Sequence, residues 1–407
     1  MLFLYNLGIR LYSILIQLAG LKSSKARAWL LGRENIFENI RNKVGTNNAY
    51  IWFHFASLGE FEQGRPVLET LKSLKPETKI IITFFSPSGY EIRKNYPLAD
   101  HVFYLPVDTR KNAAEFIRLI NPSMAIFTKY EYWFHYFDAL KQNQIPLYII
   151  SGIFRKNQPF FKWYGGLHRK MLSCVTHFFV QNEESRILLA QLNFKNVSVS
   201  GDTRFDRVFE NSKKAKQLDQ VKAFCGEAPV FITGSTWLAD EKLLSILPGK
   251  FPGWKFIIGP HEIGESRIQE IEKLFPQSIR YSKLQPSTFN LPTLIIDNIG
   301  MLSSLYQYGD VAYIGGGFGA EIHNTLEAAA FGLPVIFGPK YQKFKEAVDL
   351  IEIGAAFAIA DLRELNTIAE NLQNEHFREE SGRKAKNYVA ENAGATEMII
   401  EILQIKK

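Results

Sequence analysis

A chain of 407 residues, 46% hydrophobic and 14% aromatic, is too long for one ordinary core and too apolar for a disordered polymer, so it is read as a globular protein of two domains. Its two cysteines, Cys174 and Cys225, lie far apart and outside any metal-binding spacing, which excludes a disulfide framework and a zinc cluster and suits a reducing, cytoplasmic compartment. The formal charge of +7 is unevenly spread: residues 1–207 hold 27 Lys and Arg against 16 Asp and Glu, and the remainder 21 against 25. A basic first half attracts anionic lipid or an acidic substrate, whereas basic residues scattered between apolar runs form no nucleic-acid module, so nucleic acid is not expected as a partner.

The first element is Leu2–Leu21, an apolar run interrupted by Asn6, Arg10 and Gln17 and followed by Lys22, Lys25, Arg27 and Arg33. A secretory signal would put its positive charge first and end in small residues, and this segment does neither. Its length is near the minimum for a bilayer span, but an arginine near the middle is costly there. The expectation is a membrane-associated helix over residues 1–24, inserted into the cytoplasmic face and held by the basic residues after it; the competing reading is an ordinary helix docked on the body.

From Tyr50 the pattern alternates strand and helix. Strands are expected at Tyr50–Ala56, Ile80–Phe85, Val102–Leu105, Met124–Thr128, Leu147–Ile150, Thr176–Val180 and Val197–Ser200. Phe61–Leu74, Thr109–Ile120 and Glu183–Leu192 carry helix-spaced apolar residues, so a doubly wound parallel sheet follows for residues 25–207. The polar stretch Asn211–Gln220 marks the approach to a boundary. Alternation resumes at Val230–Thr233, Lys255–Ile258, Thr293–Ile296, Val311–Ile314 and Pro334–Phe337, which predicts a second Rossmann-like domain over 208–385 and a cleft between the two. Arg378–Lys407 reads as helical, its final part, 386–407, returning onto the first domain.

Chemistry is expected where polar residues follow strands, because open α/β sheets bind ligands at the carboxyl ends of their strands. In Tyr50–Glu60, Ser57 and Gly59 supply a turn and Glu60 opens a helix, either as a reactive acid or as a residue complementing the helix dipole. Gly234-Ser235-Thr236 offers backbone N–H groups and two hydroxyls that suit a phosphate. Pro260-His261-Glu262 is another polar strand end. In Val311–Phe337 a strand enters Gly315-Gly316-Gly317, where missing side chains permit close approach of a ligand. Asn324 then caps a helix and Glu327 lies one turn on, a carboxylate able to hold ribose hydroxyls. Reading this run as Gly315-x-Gly317-x-x-Ala320 gives a dinucleotide fingerprint, but the acid that would take the ribose is missing after the next strand. No Asp-x-Asp pair occurs, so no metal is expected to hold a sugar diphosphate.

Together these segments resemble the Kdo transferases, the 3-deoxy-D-manno-octulosonic-acid transferases of lipopolysaccharide synthesis. The resemblance runs through Ser57-Leu58-Gly59-Glu60, Gly234-Ser235-Thr236, Pro260-His261-Glu262 and the Gly315–Glu327 block ending His323-Asn324-Thr325-Leu326-Glu327. It implies a GT-B architecture, two Rossmann-like domains with parallel sheets facing across a cleft, the first binding a lipid A precursor of the lipid IVA type and the second CMP-Kdo, without cofactor or metal. It implies a general base at Glu60 and transition-state assistance from Glu131, in Lys129-Tyr130-Glu131-Tyr132-Trp133, and from Arg204. It further implies contacts to CMP from Pro260, His261, Gly315, Gly316, Gly317, Asn324, Thr325, Leu326 and Glu327, with Ser235 and Thr236 at the phosphate. Lys129 replaces an acid of the family's pattern and Arg204 stands where lysine is usual. The implied location is the cytoplasmic face of the inner membrane, against anionic lipid. The residues alone leave two other readings: a GT-B transferase or epimerase acting on a UDP-sugar, and a non-catalytic membrane-associated nucleotide binder.

Overall fold

The computed structural model describes residues 1–45, 48–129 and 131–403. The chain divides into two compact units, Met1–Asp206 with Ala393–Lys407, and Arg207–Asn392. In the first, seven parallel strands stand in the order β3-β2-β1-β4-β5-β6-β7: β1 Tyr50–Phe55, β2 Lys79–Phe84, β3 His101–Tyr104, β4 Pro122–Thr128, β5 Leu147–Gly152, β6 His177–Val180 and β7 Val197–Val199. Every residue of β1 is buried. Such a strand reads as one apolar run because helices cover both sheet faces. The period of two still sorts the side chains: Tyr50 and Trp52 enter one core with Ile81, Phe103 and Phe127, while Ile51, Phe53 and Phe55 enter the other with Phe61, Val67 and Leu71.

The second unit repeats the plan in the order β10-β11-β9-β8-β12-β13-β14, with β8 Val230–Thr236, β9 Lys255–Pro260, β10 Ser278–Arg280, β11 Thr293–Ile295, β12 Val311–Ile314, β13 Val335–Phe337 and β14 Ala356–Ala358. In both sheets strand order reverses beside the central strand, between β1 and β4 and between β8 and β12. Those switch points are where an open sheet leaves a crevice for ligand.

Several elements differ from the sequence reading. The edge strands β10 and β14, three residues each, were not expected. The two units part inside a helix, Thr203–Lys213, between Asp206 and Arg207, and the polar stretch 211–220 lies just past the division. The C-terminal stretch is two helices, Glu375–Glu391 and Ala395–Ile402, broken at Gly394 with φ +111°; the second packs on Leu58–Leu74 in the first unit. The N-terminal run forms helix α1, Leu2–Gly20, long and apolar enough to cross a membrane.

Candidate functional site

At the first switch point, Ser57 is the N-cap of helix Leu58–Leu74 and Glu60 its third residue. Ser57 makes no side-chain cap bond; its hydroxyl donates to the Glu60 carboxylate. That carboxylate is partly exposed, and its recorded partner is a hydroxyl, not a helix N–H, so beginning a helix does not consume it.

Glu131 follows β4, next to the neighbouring strand end. The turn passes through Lys129 at φ +58°, a left-handed conformation that costs of order 1 kcal/mol in a non-glycine residue. Tyr130 lies outside the described residues. Glu131 Oε2 stands 3.1 Å from His54 Nε2 and accepts from Trp133 Nε1 at 2.9 Å. His54, fully buried on β1, has Nδ1 2.8 Å from Thr83 Oγ1, which accepts from Trp52 Nε1 at 2.8 Å. An ionised carboxylate only accepts, so His54 Nε2 presents its proton to Glu131, and the contacts from Trp52 through Thr83 and His54 to Glu131 hold the imidazole and the carboxylate in place.

Arg204, second residue of Thr203–Lys213, is aimed by Asp202. Its Nε donates to Asp202 Oδ2 at 2.9 Å and a terminal nitrogen lies 2.8 Å from the same oxygen. Asp202, 6% exposed, also accepts from Gln63 and Gln181 at 3.1–3.2 Å. Gln63 lies one turn beyond Glu60, and Thr203 Oγ1 donates to the Gln63 carbonyl. The arginine's turn is thereby tied to the helix that carries Glu60.

The second unit corrects part of the sequence reading. Thr236 is 1% exposed and its hydroxyl donates to Glu241 at 2.9 Å, so it is not an open phosphate donor; Ser235, at φ +54°, is partly exposed. The triple glycine is filled by the protein itself. A Cβ on Gly315 would stand 2.4 Å from the Ser235 carbonyl, and one on Gly317 2.7 Å from Gly338 Cα. Gly316, at φ +94°, gives its N–H to Asp240 Oδ2 at 3.0 Å. Asp240 also accepts from Trp237 N at 2.9 Å and Tyr313 Oη at 2.7 Å, locking β8, β12 and the glycine turn together. The missing side chains here serve strand-to-strand approach.

Pro260 ends β9, and His261 donates its N–H to Thr236 O at 2.9 Å. The exposed His261 ring stacks on both Trp237 and His323, with a centroid distance of 4.6 Å to each, and Trp237 Nε1 donates to His323 Nε2 at 3.1 Å. Burial, and then the neighbouring His261, lower the His323 pKa, in keeping with a ring nitrogen that must stay an acceptor. Helix Leu326–Ala330 starts after Thr325, its N-cap. Asn324 Oδ1 accepts from Leu326 N and its Nδ2 donates to Glu327 Oε1, both at 3.1 Å. Asn324 and Glu327 are therefore paired with each other, and Leu326 is buried. Burial raises the Glu327 pKa, opposed by Arg207 and then Asn324.

His54, Asp202, Trp237, Asp240 and His323 carry this scaffolding and were not singled out beforehand. One signal was available: a histidine inside an otherwise apolar strand needs a partner.

Residues 33–207 match the family model described as 3-deoxy-D-manno-octulosonic-acid transferase (kdotransferase). The 3-deoxy-D-manno-octulosonic acid transferase of Chlamydophila psittaci is 28% identical over 321 residues, 75% of this chain and 73% of that protein. The Haemophilus influenzae enzyme of the same name is 25% identical, covering 87% and 86%. A bifunctional glycosyltransferase/methyltransferase of Fusobacterium nucleatum is 25% identical over 81% of this chain, which spans about half, 53%, of that relative's length. Among solved structures, UDP-GlcNAc 2-epimerase from Neisseria meningitidis superposes with TM-score 0.61 at 17% identity, covering 87% of this chain and 99% of that one. MurG from Acinetobacter baumannii gives 0.55 at 12%, covering 88% and 99%, and the calicheamicin glycosyltransferase CalG4 0.53 at 13%, covering 88% and 98%. These structural likenesses are of fold, the α/β GT-B plan of two parallel sheets. Residues 33–207 thus match the Kdo-transferase model, and most of the chain is similar in sequence to Kdo transferases.

Proposed function

We propose that this protein transfers Kdo from CMP-Kdo to a phosphorylated lipid A precursor at the cytoplasmic face of the inner membrane, with inversion at the anomeric carbon. One observation carries the reading: within the unit that matches the Kdo-transferase model, a carboxylate left free by its helix (Glu60), a carboxylate held by two ring donors (Glu131) and an arginine aimed by a buried aspartate (Arg204) come from strand ends of a single sheet.

Glu60 removes the proton from an acceptor sugar hydroxyl; that oxygen forms the new bond to the anomeric carbon of Kdo as the bond to CMP breaks. CMP leaves as a phosphate monoester, so its charge calls for N–H donors and cations of the kind that strand ends and Arg204 supply. The transfer is proposed to need no metal ion, in line with the sequence's lack of an Asp-x-Asp pair. Ser235, Pro260, His261 and the Asn324–Glu327 segment are the proposed CMP ledge, with the Asp240-braced glycine turn beneath it.

Incubation with CMP-Kdo and a tetraacylated lipid A precursor, chelator present, is expected to release CMP and give a lipid heavier by one or more Kdo units. No turnover with detergent-dispersed acceptor would sink the proposal. Glu60→Gln is expected to keep CMP binding and lose roughly a hundredfold or more in turnover, the scale of general-base catalysis; full activity would return Glu60 to a structural role. The fold shared with UDP-sugar epimerases motivates a second reading, UDP-sugar chemistry, for which UDP would bind more tightly than CMP.

A further inference from the structure

Ahead of the first strand, the chain carries one cation into the protein without an acid to meet it. Arg33 lies just past helix Ser24–Leu31, and three backbone carbonyls hold its guanidinium: Nε donates to Leu105 O at 2.9 Å, Nη1 to Trp29 O at 3.1 Å and Nη2 to Phe85 O at 2.8 Å. The Trp29, Tyr104 and Phe85 rings surround it, with centroids 3.8, 4.8 and 5.3 Å from its central carbon. Burial lowers its pKa to about 9, opposed by the phenols of Tyr104, Tyr136 and Tyr12, and among the described residues no carboxylate stands within ion-pair distance. Three of the five guanidinium N–H groups have protein acceptors, and two do not.

Arg33 forms part of the wall of a cavity of about 420 Å³, which Asn35, Glu38, Arg41, Val107 and Asn112 also line. That volume is too large for a bare ion and falls in the range of small-ligand sites, roughly 300–1,000 Å³. Two helices begin here. Ile36–Lys43 starts from Asn35, at φ +47°, whose side chain caps no N–H, and Arg110–Ile120 contributes Asn112 from its first turn. Both therefore turn their positive ends toward the cavity. Arg41 is half exposed and pairs with Glu115; Glu38, the acid of the lining, is exposed. Asn112 Nδ2 donates to Val107 O at 2.9 Å and fixes the facing loop. Because that loop follows β3 and Phe85 follows β2, the cavity opens at the carboxyl edge of the sheet. It lies two strands from β1 and Glu60, about 10 Å at the usual strand spacing. The Phe85 ring, whose carbonyl Arg33 holds, stacks at 4.8 Å on Trp133, the partner of Glu131.

We propose that this cavity is a subsite for a sugar phosphate, the phosphate of the acceptor being seated on Arg33 while its reacting hydroxyl lies at Glu60. A phosphate monoester brings the negative charge that the protein itself does not set beside Arg33, and its three outer oxygens suit the two remaining guanidinium N–H groups and the uncapped helix end. The rest of the volume takes the sugar ring that bears it. An arginine kept only to staple helix Ser24–Leu31 to the ends of β2 and β3 would need the three carbonyl bonds and no cavity beside them; a buried cation without its anion is costly, and an anionic ligand relieves that cost. The bearer of the phosphate rests on the proposed transfer to lipid; the anion subsite does not.

Two variants of the full chain test the cavity. Arg33→Lys keeps the charge and loses the fork; Val107→Phe fills the space, leaves every polar contact of Arg33 in place, and carries the test by itself should Arg33→Lys not fold. Glucosamine 1-phosphate is expected to raise the melting temperature of the parent more than inorganic phosphate or glucosamine does, and to leave the Val107→Phe variant unshifted. A response to inorganic phosphate as large as that to the sugar phosphate overturns the sugar phosphate as occupant; no response, or one that Val107→Phe shares, overturns the subsite. In the transfer assay, removing the acceptor's phosphates is expected to raise the parent's KM roughly tenfold or more with kcat held, the scale of a charge-assisted hydrogen bond. Val107→Phe should show that raised KM with either acceptor. Transfer indifferent to the acceptor's phosphates would sink the subsite and leave the reaction standing; a melting shift specific to the sugar phosphate without any Kdo transfer would do the reverse.

Discussion

His54 makes Glu131 a designed carboxylate. The glutamate follows a strand end, yet its orientation comes from a histidine 77 residues earlier and an indole two residues later. Hydrogen bonds to a charged acceptor are worth about 1.5–3 kcal/mol, so His54→Leu is expected to lower turnover roughly tenfold to a hundredfold. Because His54 acts through Glu131, CMP binding should hold. His54→Gln, which keeps a side-chain N–H donor, should recover part of the loss and bring the pH profile back toward that of the parent. Equal damage from both substitutions would mean that the buried ring matters only for packing.

At the scale of elements, the ledge in the second unit depends on one proton. Trp237 donates to His323 Nε2, so protonation of that nitrogen breaks the bond and puts charge beside His261. The folded-state pKa of His323 lies below its ordinary value of 6.5 because of burial. Above that value both folded and unfolded states are neutral and the contribution to stability is complete. As pH falls through 6.5 the unfolded chain takes the proton first, and stability is lost until the folded pKa is passed. The melting temperature of this unit should therefore fall between about pH 8 and pH 5, and His323→Asn should flatten the slope; a variant with the parent's slope would place the titrating group elsewhere. Long strands such as β1, β2 and β4 were legible because their apolar runs are buried on both faces. The edge strands Ser278–Arg280 and Ala356–Ala358 were not, since three residues contain no period and their pairing is set by neighbours remote in sequence. For the same reason Glu60 stood out as an acid after a strand and Glu131 entered only through the family resemblance, while Asp202 and Asp240, whose partners lie up to 139 residues away, did not stand out.

The whole molecule has a chain path that separates sequence order from structural membership. After threading the second unit, the chain returns to the first, where Ile399, Ile400 and Leu403 enter the core containing Phe53, Phe61 and Leu68. The return is held by Asp206, which accepts from Gly394 N at 2.5 Å and from Thr396 N and Oγ1 at 3.0 Å. Each of the three apolar side chains is at most 6% exposed, and burying one contributes about 1.5–3 kcal/mol. Losing all three is of order 5 kcal/mol, comparable with the entire stability of an ordinary domain. Deleting residues 393–407 is therefore expected to destabilise the first unit severely, although the cut lies directly after the last residue of the second. The second unit keeps its own core of Phe231, Phe256, Ile258 and Ile336, so it should still melt cooperatively. If CMP binds there as proposed, nucleotide at about a hundred times its dissociation constant would stabilise that transition by about 2.7 kcal/mol in the truncated and full chains alike. Calorimetry with and without CMP separates the outcomes: loss of the CMP-responsive transition on truncation would mean that the terminal helix supports the second unit, and an unchanged first transition would mean that Ile399, Ile400 and Leu403 are dispensable to the core they fill.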